Sequence, residues 1–270
     1  MLGTIAKTFA KDIAVHTYTA PEEGWVVNTQ IIELPAELFI VDTQYMLPFA
    51  EEVAAYAAKL NKPISRLYVT HFHPDHILGA QVFNMPITAL AEVKSKIEAV
   101  GDRVAAEEHE KHGDRIAKTA VKPTQIVAPG RETIGEIQID FIRMQNAETA
   151  DALMIAFPGR GVLVAQDFLY NRVHSFLGER SFDTWAAALR DYQLNATKYR
   201  ILLPGHGQPA GVELYGENLA YLSFTKRLLQ DVRDPAIFKS RLVSAFPNYA
   251  GRTLLDHESR FLFPPKSASA

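Results

Sequence analysis

The chain has 270 residues, of which 47% are hydrophobic and 22% are charged, which is ordinary for a soluble globular protein. A formal net charge of −3 gives no electrostatic reason to expect nucleic acid or an anionic membrane surface as a partner. The chain contains no cysteine, which excludes disulfides and means that any metal site must be built from His, Asp and Glu. No apolar run approaches the ~20 residues of a membrane span and no secretory signal is visible, so we expect a cytoplasmic protein.

The first half of the chain alternates between strand-like and helix-like segments. Strands are predicted over residues 13–18, 25–34, 38–41, 66–70 and 86–89. A helix rich in Ala and Glu is predicted over 48–60. A second helix is predicted over 90–112, because apolar residues recur there every three or four positions, at Val93, Ile97, Val100 and Val104.

The second half repeats this alternation. Strands are predicted over residues 134–143, 152–157, 161–165 and 201–203, and helices over 182–195 and 212–232. Strands in two groups, each followed by helices, indicate two packed sheets with helices outside. The stretch 238–263 is too apolar for a free tail, so we expect it to fold back on the domain or to form a contact in a homodimer.

Residues 71–76 (HFHPDH) place three imidazoles and a carboxylate directly after the predicted strand 66–70. Alternate side chains share one face of a strand, so His71 and His73 are predicted to point the same way as the strand ends. Asp75 and His76 follow on the turn into the next segment. Imidazole nitrogens and a carboxylate at a strand end are typical of a hydrolytic metal site.

The pattern HxHxDH is carried by the metallo-β-lactamase superfamily, and three later sequence motifs also resemble those of that superfamily. Residues 147–151 (AETAD) correspond to its Gly-His-Thr-x-Asp sequence, except that Glu148 takes the place of His. Asp167 follows a buried strand, and residues 203–207 (LPGHG) contain His206 in a Pro-Gly-His-Gly turn. The resemblance implies an α/β (α+β) fold, the four-layer αβ/βα sandwich. It would span residues 1–270 as a single domain, with about 234–270 as a C-terminal extension.

The resemblance also implies a centre with two divalent metal ions, for which we expect zinc, with Mn or Fe as alternatives. The implied ligands are His71, His73 and Glu148 for the first ion, Asp75, His76 and His206 for the second, and Asp167 bridging both. A hydroxide shared by the two ions would be the nucleophile. Asp75 would also act in catalysis by orienting this hydroxide and carrying its proton to the leaving group.

Glu148 is the departure from the family pattern, and it leaves two interpretations open. In the first, its carboxylate is a ligand, as a glutamate is at this station in the alkylsulfatase branch, and the extra oxygen donor favours Mn or Fe more than a histidine would. In the second, Glu148 points away and the protein binds one metal or none. The two interpretations predict different metal contents.

The function implied by the resemblance is a metal-dependent hydrolase. We expect a small-molecule substrate with an ester, lactone, thioester or amide-type bond, because the nucleases and alkylsulfatases of the superfamily are larger proteins. The alternative is a metal-binding or ligand-sensing protein of the same fold with weak or no turnover. His174, in the loop of residues 170–180 after Asp167, is a candidate substrate contact.

Overall fold

A computed structural model describes residues 1–264, which form two β-sheets with helices on their outer faces. The strands of the first sheet, in spatial order, are β1 (Thr4–Ala10), β2 (Ile13–Thr19), β3 (Asn28–Glu33), β4 (Leu38–Val41), β5 (Ile64–Tyr68), β6 (Ile87–Ala89) and β7 (Gln125–Ile126). The strands of the second sheet, in spatial order, are β12 (Ile201–His206), β11 (Val162–Tyr170), β10 (Asp151–Phe157), β9 (Ile137–Gln145) and β8 (Gly130–Ile134). The α/β sandwich expected from the sequence is confirmed.

The helices connect and cover these sheets. They are α1 (Leu47–Ala58), α2 (Pro74–Ile77), α3 (Ala91–His112), α4 (Phe182–Leu194), α5 (Glu213–Asp231), α6 (Pro235–Ala245) and α7 (Arg252–Leu262). α1 packs on the first sheet, where the Tyr56 hydroxyl lies 2.8 Å from the Nδ1 atom of His16 on β2. α4 packs on the second sheet, where the Trp185 indole donates a 3.0 Å hydrogen bond to the Phe168 carbonyl on β11. Within residues 1–264, no helix combines the length and the apolar character needed to cross a membrane.

The two sheets meet through buried amide side chains of β3. Asn28 donates from Nδ2 to the carbonyl oxygens of Pro204 and Gly207, at 2.9 and 2.5 Å. Gln30 also donates from Nε2 to the Pro204 carbonyl, at 3.1 Å. These bonds satisfy polar groups at the end of β12 that burial would otherwise leave unpaired. They fix the position of His206, the last residue of β12, relative to the first sheet.

The motif of residues 71–76 follows β5, as expected, but His71 and His73 do not continue the strand. β5 ends at Tyr68, and the backbone of Thr70 leaves the ladder: its N–H donates to the Asp42 carboxylate at 2.8 Å, and its carbonyl accepts from Leu153 of the second sheet at 2.8 Å. The chain therefore turns between the sheets before His71. The alternation of strand faces is not what brings the imidazoles together.

The segment before β3 also differs from the prediction. β3 begins at Asn28 and not at Trp25, because Trp25 and Val26 adopt left-handed backbone conformations with φ of 60° and 59°. This conformation is uncommon for residues other than glycine and costs more for a β-branched residue such as Val26. The Trp25 carbonyl is thereby turned towards His206.

The C-terminal segment folds back on the domain, one of the two arrangements that its apolar composition predicts. α7 buries Leu254, Leu255 and Leu262, all at most 3% exposed. α6 buries Phe238 and Leu242. The segment is thus part of the packed structure up to the last residues described.

Candidate metal centre

Four of the predicted ligands form one group of converging donor atoms. His71 Nε2 lies 3.1 Å from His73 Nδ1, and His73 Nδ1 lies 3.1 Å from an oxygen of Glu148. The other Glu148 oxygen lies 3.8 Å from His71 Nε2. One donor atom from each of these residues and from Asp167 lies within 4.8 Å of the others. The structure therefore turns Glu148 towards the cluster, as the first interpretation of the sequence expects.

The remaining predicted ligands form a second group next to the first. His76 Nε2 and His206 Nε2 lie 3.4 and 3.3 Å from Oδ2 of Asp75. Asp167 lies between the groups: its Oδ1 is 3.1 Å from His76 Nε2, and its Oδ2 is 3.2 Å from His206 Nε2 and 3.9 Å from His71 Nε2. In this position the Asp167 carboxylate could contact an ion in each of the two groups.

The local backbone makes this close approach possible. Asp167 lies within β11, directly after Gln166, whose φ is 44°. Gly205 precedes His206 on β12, and a Cβ atom at this glycine would lie 1.8 Å from Oδ1 of Asp167. Glycine is therefore required at position 205, because a side chain there would occupy the space of the bridging carboxylate.

Two of the imidazoles are oriented by partners outside the cluster. His76 Nδ1 lies 2.7 Å from Oδ2 of Asp42, and His206 Nδ1 lies 2.8 Å from the Trp25 carbonyl oxygen. These acceptors hold the proton on Nδ1, which leaves the Nε2 lone pairs directed at the cluster. Hydrogen bonds of this kind fix the tautomer of metal-binding histidines.

Asp42 is a residue of the candidate site that the sequence reasoning did not identify. Its carboxylate is fully buried and accepts bonds from the Thr70 backbone N–H and hydroxyl, as well as contacting His76 and Gln166. The available signal was a short apolar strand, residues 38–41, that ends in an aspartate. A carboxylate is expensive to bury without such a set of donors.

Opposite charges inside the cluster shift the protonation equilibria strongly. Burial would lower the pKa of His76, but the Asp167, Asp75 and Asp42 carboxylates raise it well above its usual value. Burial is likewise outweighed at His206, where Asp167 and Asp75 raise the pKa to about 10. Bound protons therefore compensate the carboxylate charges where no other cation is present.

The donor set fits divalent metal ions. His76 Nε2, Oδ1 of Asp167 and both Glu148 oxygens are buried and have no hydrogen-bond partner within residues 1–264. Burial raises the pKa of Glu148 to about 7, so its carboxylate lacks sufficient stabilisation from the protein alone. Imidazole and carboxylate donors converging without partners of their own are what a cation such as Zn²⁺ or Mn²⁺ would satisfy.

A cavity of about 460 Å³ opens above the cluster and gives a small molecule access to it. Asp75, Asp167 and His206 form its floor, together with Tyr170. The Tyr170 hydroxyl donates to Oδ2 of Asp167 at 2.5 Å, and its ring stacks on His206 with centroids 4.8 Å apart. The sequence reasoning did not identify Tyr170. The floor of this cavity is therefore polar, and its donors belong to the proposed metal cluster.

The walls of the cavity come from α3 and α7. Trp25 and Phe72, which lie outside these two helices, also line the cavity. His257 of α7, to which the sequence assigned no role, also lines the cavity.

His174 does not line this cavity. Other residues of its loop do, among them Phe176, but the His174 side chain is fully buried, with Nδ1 3.0 Å from the Tyr221 hydroxyl. Its ring lies 5.7 Å from that of Tyr249. A substrate contact by His174 is therefore not supported by its position.

The position of His174 has a consequence for stability in acid. Burial lowers its pKa to about 4, whereas the unfolded chain has a value near ~6.5. The unfolded state therefore binds a proton between pH 6.5 and 4 that the folded state does not, and the free energy of unfolding must fall as the pH falls through this window. Between pH 7 and pH 5, we expect the free energy of unfolding of His174→Gln to fall by about 1–2 kcal/mol less than that of wild type. Urea unfolding at both pH values measures this, and equal losses would contradict it.

Known proteins resemble this chain in sequence and in fold. The family model described as "Metallo-beta-lactamase superfamily" matches residues 23–206. A linear primary-alkylsulfatase from Pseudomonas sp. (strain ATCC 19151) is 26% identical over 219 residues, which are 66% of this chain but only 41% of that relative. The chain thus spans less than half the length of this relative.

Solved structures show the same fold at low sequence identity. A metallo-beta-lactamase from Pontibacter korlensis superposes with a TM-score of 0.62 at 18% identity, covering 82% of this chain and 99% of its own. A metallo beta lactamase from Hirschia baltica gives a TM-score of 0.59 at 19% identity, covering 82% and 98%. These likenesses concern the fold, whereas the family model covers most of the chain and all seven candidate ligands. The chain belongs to the metallo-beta-lactamase superfamily.

Proposed function

We propose that this protein is a hydrolase that uses two divalent metal ions to cleave a small-molecule ester, lactone, thioester or amide-type bond. The observation that carries this proposal is the pair of donor groups that share Asp167, at the floor of an accessible cavity. A site for a single structural ion would be closed by four protein ligands and would not need a cavity. The expected ions are zinc, with Mn or Fe as alternatives.

The residues of the site would have separate roles in the reaction. Ions held by the two donor groups would lower the pKa of a water molecule towards ~7 and polarise the substrate oxygen. Asp75 lies on the cavity floor, so its carboxylate is placed to orient the attacking water and to pass a proton to the leaving group. Asp42 and the Trp25 carbonyl hold His76 and His206 in the tautomer that this arrangement needs.

The donor groups of the site do not by themselves determine which class of bond is cleaved. Carbonyl compounds and sulfate esters both present an oxygen that such a centre can polarise, and the same fold supports different reactions. The sequence-based argument against sulfate esters rested on the greater length of alkylsulfatases, and this chain indeed spans 41% of the alkylsulfatase it matches. Because the chain is 26% identical to this relative over 219 residues, sulfate esters belong in the substrate screen beside carbonyl esters.

A substrate screen with a matched variant tests the proposal. The metal-loaded protein is assayed on carboxylic esters, lactones, thioesters, a β-lactam and alkyl sulfates. We expect turnover of at least one class, and a loss of about 10²–10⁴-fold in kcat for Asp75→Asn on that substrate, because the amide cannot accept the proton and is a weaker metal ligand than the carboxylate. Lys226→Ala, which removes an exposed residue paired with Asp183, serves as the control.

The alternative function is a metal-binding or ligand-sensing protein without efficient turnover. The one feature that favours it is Glu148, which replaces the usual histidine and itself attracts a proton. Full metal occupancy without turnover of any substrate class would contradict the hydrolase and leave this alternative.

A further inference from the structure

The C-terminal helix α7 forms one wall of the cavity above the metal cluster. This helix lies outside the segment that the family model matches, which ends at residue 206. The opposite wall is the face of α3 that carries Val100 and Val104. The residues that α7 contributes to the cavity are Leu254, His257, Arg260 and Phe261. The shape of the cavity is thus set in part by an element that the shared family segment does not contain.

α7 is held in this place by buried polar contacts along its length. Glu258 is fully buried and accepts a 2.8 Å hydrogen bond from the backbone N–H of Leu177. Arg260 reaches across to α3, where its Nη2 lies 3.6 Å from an oxygen of the buried Glu108. The same Glu108 carboxylate accepts a hydrogen bond from the Tyr45 hydroxyl at 2.5 Å. Such contacts fix α7 relative to α3, so the width of the cavity is defined.

The start of α7 is linked to the cluster itself. The Glu22 carboxylate accepts from the backbone N–H groups of Gly251 and Thr253, at 3.0 and 3.3 Å. One turn later the His257 ring packs on Trp25, with centroids 4.5 Å apart. Since the Trp25 carbonyl is the partner of His206, α7 packs directly on a residue that orients a candidate ligand.

Apolar and aromatic side chains line part of these walls. Phe261 packs edge-on against Phe176, with centroids 5.5 Å apart. Phe176 in turn packs against the His73 ring at 4.8 Å. An apolar path therefore runs from the cluster along Phe176 to Phe261, facing Val100 and Val104 on α3.

Both arginines that line this path lie close to carboxylates. Arg103 pairs with Glu107 at 2.8 Å, and Arg260 lies 3.6 Å from Glu108. The Lys96 ammonium lies over the Phe72 ring, 4.8 Å from its centroid. With both arginines facing carboxylates, the path offers hydrocarbon contact more than recognition of a charged group.

We propose that the substrate carries a hydrocarbon group that lies between α3 and α7, and that Phe261 and Val100 determine the size of the group accepted. This rests on the proposed function, in that the reacting bond lies at the cluster. Burying hydrocarbon in such a path strengthens binding by about fourfold for each methylene group. α7 is then a specificity element of the site.

Binding of straight-chain carboxylates tests this without requiring turnover. The series from acetate to decanoate is titrated into the metal-loaded protein by calorimetry, with the carboxylate as the common polar group. For wild type we expect the affinity to rise about fourfold per methylene until the cavity is filled. For Phe261→Ala and for Val100→Ala we expect the rise per methylene to fall to roughly twofold.

The variants are chosen to leave the fold intact. Phe261 is 44% exposed and Val100 is half-buried, so truncation creates no closed void in the core. Leu194→Ala, at an 86% exposed position on α4 outside the cavity lining, is the matched control and should bind the series as wild type does.

The outcomes separate this inference from the proposed function. An affinity that does not depend on chain length in wild type, or a dependence unchanged in both cavity variants, overturns the inference even if esters are hydrolysed. If affinity rises with chain length in wild type and rises less in both cavity variants, the inference is supported. If no substrate class is turned over in that case, only the proposed hydrolase function is contradicted.

Discussion

Asp42→Ala is expected to destabilise the protein by about 3–5 kcal/mol and to abolish binding of one of the two metal ions. The carboxylate is fully buried, and its removal leaves the Thr70 N–H, the Gln166 amide and His76 Nδ1 without their acceptor. Unpaired buried donors of this kind account for the loss of stability. Urea unfolding and elemental analysis of the same preparation measure both effects.

The matched variant Asp42→Asn separates orientation from packing. The amide retains the shape of the side chain, but its NH2 group facing His76 Nδ1 favours the tautomer with the proton on Nε2. That proton would occupy the lone pair that the second donor group needs. We expect a folded protein with about 10–100-fold weaker binding of one ion. Wild-type affinity for both ions would contradict the role assigned to Asp42, and Asp183→Ala, at an exposed carboxylate, serves as the control.

Glu148→Ala is expected to weaken the first donor group selectively. The change removes the carboxylate whose oxygens lie 3.1 Å from His73 Nδ1 and 3.8 Å from His71 Nε2, while Asp75, His76 and His206 are untouched. Loss of an outer hydrogen-bond partner typically costs 10–100-fold in metal affinity, so loss of a direct ligand should cost more than about 100-fold for one ion. Competition titrations with a chromophoric chelator measure the two affinities separately.

Glu148→His is the matched variant for this prediction. An imidazole can donate a lone pair in the same place, so binding of both ions should be retained, with a shift in preference towards zinc because one oxygen donor has become nitrogen. If Glu148→Ala binds both ions as tightly as wild type, Glu148 is not a ligand and the second interpretation of the sequence holds.

The sandwich fold and the grouping of the candidate ligands could be predicted from the sequence for different reasons. Residues 71–76 carry four donors close together in sequence, and residues 203–207 carry the family's Pro-Gly-His-Gly pattern, although Pro204, Gly205 and His206 belong to β12 and not to a turn. The family pattern predicted the order of the remaining ligand positions along the chain. The detailed reason offered for His71 and His73 was wrong, because the strand ends at Tyr68.

The parts that sequence reasoning missed depend on contacts between distant segments. In the local sequence, Asp42 is only the last residue of an apolar strand. The folded structure brings Thr70, His76 and Gln166 to its carboxylate, and these contacts explain why a carboxylate is needed there. The role of α7 likewise depends on Glu108 and Glu22, which lie more than a hundred residues earlier in the chain. Periodicity carries no information about such pairs, whereas it did place helices such as α3 to within one residue.

The proposed centre holds two metal ions on two donor groups that share Asp167. Its metal content can be measured by elemental analysis of the wild-type protein, purified without a metal-binding tag and dialysed against metal-free buffer. The geometry of the donor groups predicts close to two divalent ions per chain. A content of one ion or none, after incubation with zinc, manganese or iron, would contradict the binuclear centre and with it the proposed reaction.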